Sequence, residues 1–106
     1  MTLYSHQAVQ KWVNFNSSGG INRHHGISSV SDNGTGDFTI NFSGSFTDSY
    51  YCINGLCGNQ SQAGVALRFS LNASTSSGSC RVRTAHSWSY VDCSYNSLTF
   101  AGHRLG

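Results

Sequence analysis

The sequence contains no proline and no glutamate, and only 9% of its residues are charged. A typical soluble domain has about 25% charged residues. This chain instead takes 47 of its 106 residues from Gly, Ser, Thr and Asn, so hydroxyls and amides must hydrate its surface. No apolar run is long enough to cross a bilayer, and the first residues lack the pattern of a signal peptide. We therefore expect a protein made and used without secretion or membrane insertion.

The scarcity of charge also argues against two functional classes. The six Lys and Arg residues are scattered and the net charge is +2, which is not the basic patch of a nucleic-acid-binding protein. A glycosidase needs two carboxylates in one cleft, and a serine hydrolase needs a nucleophile on a recognisable turn. The carboxylates of this chain are only Asp32, Asp37, Asp48 and Asp92, and no such turn is present. We predict that the protein is not an enzyme and that no nucleic acid is among its partners.

Residues 27–51 contain the clearest structural signal of the chain. Phe38, Ile40 and Phe42 alternate with polar residues, which is the period of a strand that has one face on a core. The segment DNGTGD precedes this strand and is rich in residues that accept a positive φ. The sequence therefore predicts a β-hairpin whose structural residues are Asp32, Asn33, Gly34, Gly36 and Asp37.

The rest of the chain is predicted to be a set of short strands separated by polar turns. At 106 residues it is long enough for one domain, residues 1–106, in which residues 1–10 form an arm or a short first strand. Alternation predicts strands at 11–16, 21–30, 46–54, 65–71, 80–87 and 97–102, with a loop at 54–64. No segment has a helical period. The prediction is an all-β fold, a single antiparallel β-sandwich of about seven strands.

The four cysteines leave three alternatives open. Cys52, Cys57, Cys80 and Cys93 can form disulfides, bind one zinc ion or remain free thiols. The spacing is loose for zinc, so free thiols are favoured, with one disulfide forming late if the protein leaves a reducing compartment. Among free thiols, Cys52 and Cys80 are predicted to lie in the core because they fall in predicted strands.

The histidines give no ligand set. Adjacent strand residues point to opposite faces, so His24 and His25 cannot chelate one ion from a regular strand. We predict no metal site and no cofactor.

An aromatic and polar segment near the C-terminus is the best candidate for a contact surface. Aromatic rings stack on sugars or pack into protein partners, while neighbouring hydroxyls and amides supply directional hydrogen bonds. Burial of Trp88 and Tyr90 in the core is an equally good interpretation. The candidate contact residues are Trp88, Tyr90, Asp92, Tyr95 and Asn96.

Three segments carry a resemblance to a known family. They are residues 12–16 (WVNFN), 28–42 (SSVSDNGTGDFTINF) and 48–52 (DSYYC). Together they resemble a module of bacteriophage virion proteins, found especially near the ends of tail fibres, whose pattern reads WVNFN, SSxxDNGTGDxTxNF and DxxY. The resemblance covers about the first half of the chain. It departs from the family pattern at residues 21–26 and at Thr47, where a proline is common.

The resemblance implies a virion structural protein that is all-β and homotrimeric. We expect it to be made in the host cytoplasm and displayed on the virion exterior, on a tail fibre, where it attaches to a host surface glycan or protein. The alternative is a capsid decoration protein that clamps neighbouring head subunits. The lack of proline fits a second copy covering the edge strands. In the fibre hypothesis, the five aromatic and polar candidates above are the receptor-contact residues.

Overall fold

The computed structural model describes residues 10–58, 67–71, 75–86 and 89–102. Their secondary structure consists of antiparallel strands, which confirms the predicted all-β class. Nine strands lie in this part of the chain: β1 Lys11–Phe15, β2 Ile21–His25, β3 Ile27–Gly34, β4 Asp37–Phe42, β5 Cys52–Gly58, β6 Leu67–Leu71, β7 Ser79–His86, β8 Ser89–Tyr90 and β9 Tyr95–Ala101.

Two antiparallel sheets form the sandwich. Sheet A has the strand order β2-β1-β9-β5, and sheet B has the order β3-β4-β7-β6 with the short β8 paired to β7. The prediction of about seven strands is low by two. The chain turns at Gly26 and splits the predicted run 21–30 into two strands that belong to different sheets, and residues 89–90 add the strand β8.

The core lies between the two sheets and is built from alternating strand residues. Phe38 and Ile40 of β4 are fully buried, as are Leu98 and Phe100 of β9. The rings of Phe15 and Phe38 meet edge to face at 5.1 Å and join the sheets directly. The inward face predicted for residues 38, 40 and 42 of β4 is therefore confirmed.

An aromatic cluster closes one end of this core. The ring of Phe42 makes edge contacts with the rings of Phe46, Tyr51 and Phe100 at 5.0 to 5.4 Å. The Tyr51 hydroxyl donates to the carbonyl oxygens of Ser76 and Ser79 at 2.8 and 2.9 Å. Burial raises the pKa of Tyr51, so its phenol stays protonated and keeps the segment before β7 on the core.

The fifth strand was predicted in the wrong place. The sequence places a strand at 46–54 and a loop at 54–64, whereas β5 is Cys52–Gly58. The loop-like composition N-G-L-C-G misleads because Gly55 is needed for packing. A Cβ atom at Gly55 would lie 2.5 Å from Leu98 Cδ2 and 2.8 Å from the Ser97 carbonyl oxygen, so only glycine fits against β9 there.

The remaining predicted strands are found with small shifts. β6, β7 and β9 correspond to the runs predicted at 65–71, 80–87 and 97–102, and residues 65–66 and 87 lie outside the described residues. Of the predicted arm, only Gln10 is described. Its side-chain amide makes two hydrogen bonds of 2.9 Å with the backbone of Gly102. The backbone N–H of Gln10 donates to the Phe100 carbonyl oxygen at 3.1 Å. Gln10 is thus fixed to the end of β9.

Candidate functional site

The predicted contact residues do not form one surface. Tyr90 pairs with β7 in sheet B, whereas Tyr95 pairs with β5 in sheet A, so the two exposed rings belong to opposite layers of the sandwich. Asp92 lies between them in the segment that joins the sheets. Trp88 lies outside the described residues. These residues were predicted together because they are close in the sequence. In the structure the chain crosses from sheet B to sheet A between Tyr90 and Tyr95, and we call residues 91–94 the crossover segment.

Asn96 is buried, which corrects its prediction as a surface contact. It is 0% exposed, and its side-chain amide donates to the carbonyl oxygens of Cys93 and Phe15 at 2.8 and 3.2 Å. Alternation along β9 puts the side chains of Tyr95 and Asn96 on opposite sides of sheet A. Asn96 therefore holds the crossover segment in place and does not reach a partner.

The predicted hairpin is confirmed, with a tighter turn than the sequence indicated. β3 pairs with β4 as far as Gly34 opposite Asp37, which leaves Thr35 and Gly36 as the turn. Asp32 accepts a hydrogen bond from the Gly34 N–H at 3.1 Å, which is the usual local role of an Asp beside a turn.

The tip of this hairpin is docked onto the crossover segment. The Gly36 N–H donates to the Asp92 carboxylate at 2.7 Å, and the Thr84 N–H donates to the Gly36 carbonyl at 2.9 Å. A Cβ atom at Gly36 would lie 2.5 Å from the Thr84 carbonyl oxygen and 2.9 Å from that of Val91. Asp92 thus has a structural role at the tip, which the sequence did not reveal.

Asp37 is the centre of an ion-pair cluster on the outer face of sheet B. Arg81 binds its carboxylate with two nitrogens, at 3.0 and 2.8 Å, and Arg83 approaches to 3.5 Å. Asp37 therefore pairs with arginine side chains of the neighbouring strand β7. The hydrogen bonds from Arg81 lower the pKa of Asp37, although burial of the carboxyl acts in the opposite direction.

Hydroxyls and amides continue this cluster across β3 and β4. The Asn41 amide donates to the hydroxyls of Ser29 and Ser31 at 3.0 and 3.2 Å. The Asn33 amide donates to the Thr39 hydroxyl at 2.8 Å. Because each of these polar groups is hydrogen-bonded to a neighbour on the same sheet, the network holds the side chains in defined positions.

An exposed aromatic ring ends this surface. The Arg83 guanidinium lies 4.1 Å from the centre of the Tyr90 ring, which fixes the ring while the residue stays 51% exposed. We name this surface the polar face. Its members are Ser29, Ser31, Asn33, Asp37, Thr39, Asn41, Arg81, Arg83 and Tyr90.

The sequence missed most of the polar face for one reason. Alternation along the strand is enough to put Arg81 and Arg83 on one side of β7. Their partner Asp37 comes 44 positions earlier. Only the register of β4 against β7, in which Asp37 is opposite Arg83, brings them together.

A second feature is an apolar groove of about 810 Å³ between the edges of β5 and β6. Its lining includes Tyr50, Leu56 and Leu71, which are 88%, 67% and 54% exposed. Ile53 and Phe69 form part of its floor, packed against the core. Large apolar side chains gathered at one edge of a charge-poor sandwich are suited to contact with another protein surface.

The cysteines in the structure are free thiols, and their placement differs from the prediction. Cys80 is buried as predicted, but Cys52 is exposed and so is not a core residue. Cys57 and Cys93 are the other two buried thiols. In the described ranges no three His, Cys, Asp or Glu side chains gather as a metal site would require, and no helix is long and apolar enough to cross a membrane.

Comparison of the chain with protein-family models, with curated proteins and with solved structures finds no match. The resemblance to the tail-fibre module therefore stays a prediction from the three sequence segments.

Proposed function

We propose that this chain is an exterior structural component of a bacteriophage virion, a homotrimeric tail-fibre module that attaches to the host cell surface. In this proposal it is not an enzyme, and the polar face contacts a host glycan. The observation that carries the proposal is the pre-ordered network on sheet B, which ends at the exposed Tyr90. The resemblance in residues 12–52 supplies the virion context.

The chemistry of the polar face suits a sugar better than a lipid or a nucleic acid. Hydroxyls and amides can exchange directional hydrogen bonds with sugar hydroxyls, and an aromatic ring can stack on the C–H face of a pyranose. Asp37 offsets part of the charge of Arg81 and Arg83, so the face is not a strong anion site.

The position of the protein on intact particles tests the proposal. Purified virions are labelled with an antibody against the chain and imaged. We expect label at the fibre ends. Label spread over the head would support the alternative of a capsid decoration protein, and unlabelled particles would contradict both assignments.

The alternative of a capsid decoration protein also draws on the apolar groove at β5 and β6. A decoration protein needs an apolar surface for a neighbouring subunit, and Leu56 and Leu71 offer one. The same groove can also serve as the contact between copies in a trimer, so it supports both assignments.

Two tyrosines of equal exposure allow a matched test of the polar face. Tyr90 and Tyr95 are 51% and 53% exposed on opposite sheets. We expect Tyr90→Ala to reduce binding of the labelled protein to host cells about 5- to 30-fold, since loss of a stacking aromatic anchor costs roughly 1 to 2 kcal/mol. Tyr95→Ala should bind as the unchanged protein does. Equal loss in both variants, or none in Tyr90→Ala, would contradict a role for the polar face.

A further inference from the structure

Two buried thiols are neighbours in the interior at the edge of sheet A. Cys57 lies on β5 and is 5% exposed, and Cys93 lies in the crossover segment before β9 and is 0% exposed. The Cys93 thiol helps to raise the pKa of Cys57, so the two thiols lie close to one another. Their proximity follows from the register, because Cys57 is opposite Asn96 on β9 and the Asn96 amide donates to the Cys93 carbonyl at 2.8 Å.

The other two cysteines are placed elsewhere. Cys80 lies on β7 beside the Tyr51 hydroxyl. Cys52 is exposed and lies on the same strand as Cys57, five positions earlier. Five strand residues span about 17 Å, much farther than the Cα separation of a disulfide, so these two cannot pair. The geometry leaves one candidate pair.

We propose that Cys57 and Cys93 are a cross-linking site, which forms an intramolecular disulfide when the folded protein meets a small-molecule disulfide such as oxidised glutathione. One protein thiolate attacks the oxidant and releases one glutathione thiolate. The second protein thiolate then attacks this mixed disulfide and releases the other. Two protein thiols are oxidised and one glutathione disulfide is reduced to two glutathione molecules. The inference goes beyond the proposed function and does not depend on what the polar face binds.

The cross-link should form slowly and faster at higher pH. Burial raises the pKa of Cys57 to about 12 and also raises the pKa of Cys93, so few thiolates exist at neutral pH. The rate of oxidation should therefore rise about tenfold per pH unit around neutrality. β5 is the last strand of sheet A in the described part of the chain, so local opening of this strand admits the oxidant.

The cross-link should stabilise the fold. It would close the chain between Cys57 and Cys93, which includes β6, β7 and β8, and so would restrict the unfolded state. For a domain of this size the midpoint of thermal unfolding should rise by roughly 10 °C. It would also fix the residue next to Asp92, whose carboxylate accepts the N–H of Gly36 at the hairpin tip.

The test uses the full chain with the substitution Cys52→Ser, which removes the exposed thiol. The reduced and the glutathione-oxidised protein are alkylated, cut with trypsin and analysed by mass spectrometry. Cleavage at Arg23, Arg68, Arg81 and Arg83 puts Cys57, Cys80 and Cys93 in three different peptides. Should Cys52→Ser fail to fold, chymotrypsin cleavage after Leu56 of the unchanged chain separates Cys52 from Cys57.

We expect the oxidised protein to yield peptides 24–68 and 84–104 joined, lighter than their sum by two hydrogens, with Cys80 still alkylated. The thermal midpoint should rise and return on reduction. Adding Cys93→Ser should abolish the joined species, whereas adding Cys80→Ser should leave it. Alkylation of both Cys57 and Cys93 after oxidant, glutathione retained on either, or a cross-link through Cys80 would overturn the proposal.

Discussion

Gly36 carries the tightest constraint found at the scale of single residues. Its φ is +63°, in the left-handed region, and its α-carbon faces the carbonyl oxygens of Thr84 and Val91 without room for a side chain. Gly34, two positions earlier, also has a positive φ of +136° but faces open space. Substitutions at the two glycines therefore distinguish the cost of backbone strain from the cost of steric crowding.

We expect Gly36→Ala to lower the free energy of unfolding by about 3 kcal/mol, the sum of strain at positive φ and a clash with backbone atoms. Gly34→Ala should cost only about 1 kcal/mol because no atom opposes the new methyl group. Urea unfolding of both variants measures the difference. Equal losses would mean that the hairpin tip is not packed against Thr84 and Val91.

Asp37 gives a prediction about pH. Because Arg81 lowers its pKa in the folded protein, the carboxylate contributes stability above its unfolded pKa of about 3.8, and this stability is lost as the pH falls through the lower folded value. The free energy of unfolding of the unchanged protein should therefore exceed that of Asp37→Asn at neutral pH. The gap should narrow as the pH falls below about 4. A gap independent of pH would show that Asp37 contributes by packing rather than by its charge.

At the scale of elements, the crossover segment between β8 and β9 decides the geometry of the site. It carries the chain from sheet B to sheet A, and backbone and side-chain hydrogen bonds hold it at both ends. The Val91 N–H donates to the Thr84 carbonyl at 3.1 Å, Asp92 accepts from Gly36, and the Cys93 carbonyl accepts from Asn96.

We expect Asn96→Ala to lower the free energy of unfolding by about 2 to 3 kcal/mol, because it leaves the buried carbonyl oxygens of Phe15 and Cys93 without this donor. Hydrogen exchange at the Val91 and Gly36 amides should become faster in the variant, since both bonds depend on the position of the segment. Ser97→Ala, at the adjacent and partly exposed position, is the control and should change stability by less than about 0.5 kcal/mol. An Asn96→Ala variant with an unchanged free energy of unfolding would contradict the role of Asn96 in holding the crossover segment.

At the scale of the whole molecule, the sandwich has two different kinds of surface. The polar face is a network of hydrogen-bonded polar side chains, while the groove at β5 and β6 exposes Leu56 and Leu71. β5 and β6 are the last strands of their sheets in the described part of the chain. Edge strands beside exposed apolar side chains are suited to contact with another copy.

We therefore predict that the proposed homotrimer forms through this groove. Sedimentation should give three times the 11.4 kDa mass of one chain, and Leu56→Asp combined with Leu71→Asp should give monomers. Tyr95→Asp also adds a charge on an exposed apolar residue of sheet A, but away from the groove lining, and it should remain trimeric. If the unchanged protein is monomeric, the trimer is contradicted. If the double variant is still trimeric, the interface lies elsewhere.

The local pattern of the sequence was sufficient for most of the strands and for the inward face of β4. Burial of Phe38 and Ile40, the shared side of Arg81 and Arg83 and the hairpin at residues 32–37 all follow from a period of two and from turn chemistry, which act between near neighbours. The same reasoning misplaced β5. A glycine usually indicates a loop, but Gly55 lies in a strand because its close contact with Leu98, far along the chain, leaves no room for a side chain.

The candidate site depended on contacts that no local pattern specifies. Asp37 meets Arg81 only because β4 lies beside β7, and Tyr90 and Tyr95 separate only because the chain crosses between sheets at residues 91–94. Strand order and register are set by which apolar faces pack together across the whole molecule. The sequence alone therefore determined an all-β chain with alternating faces, and the tertiary structure decided which polar residues form one surface and which thiols become neighbours.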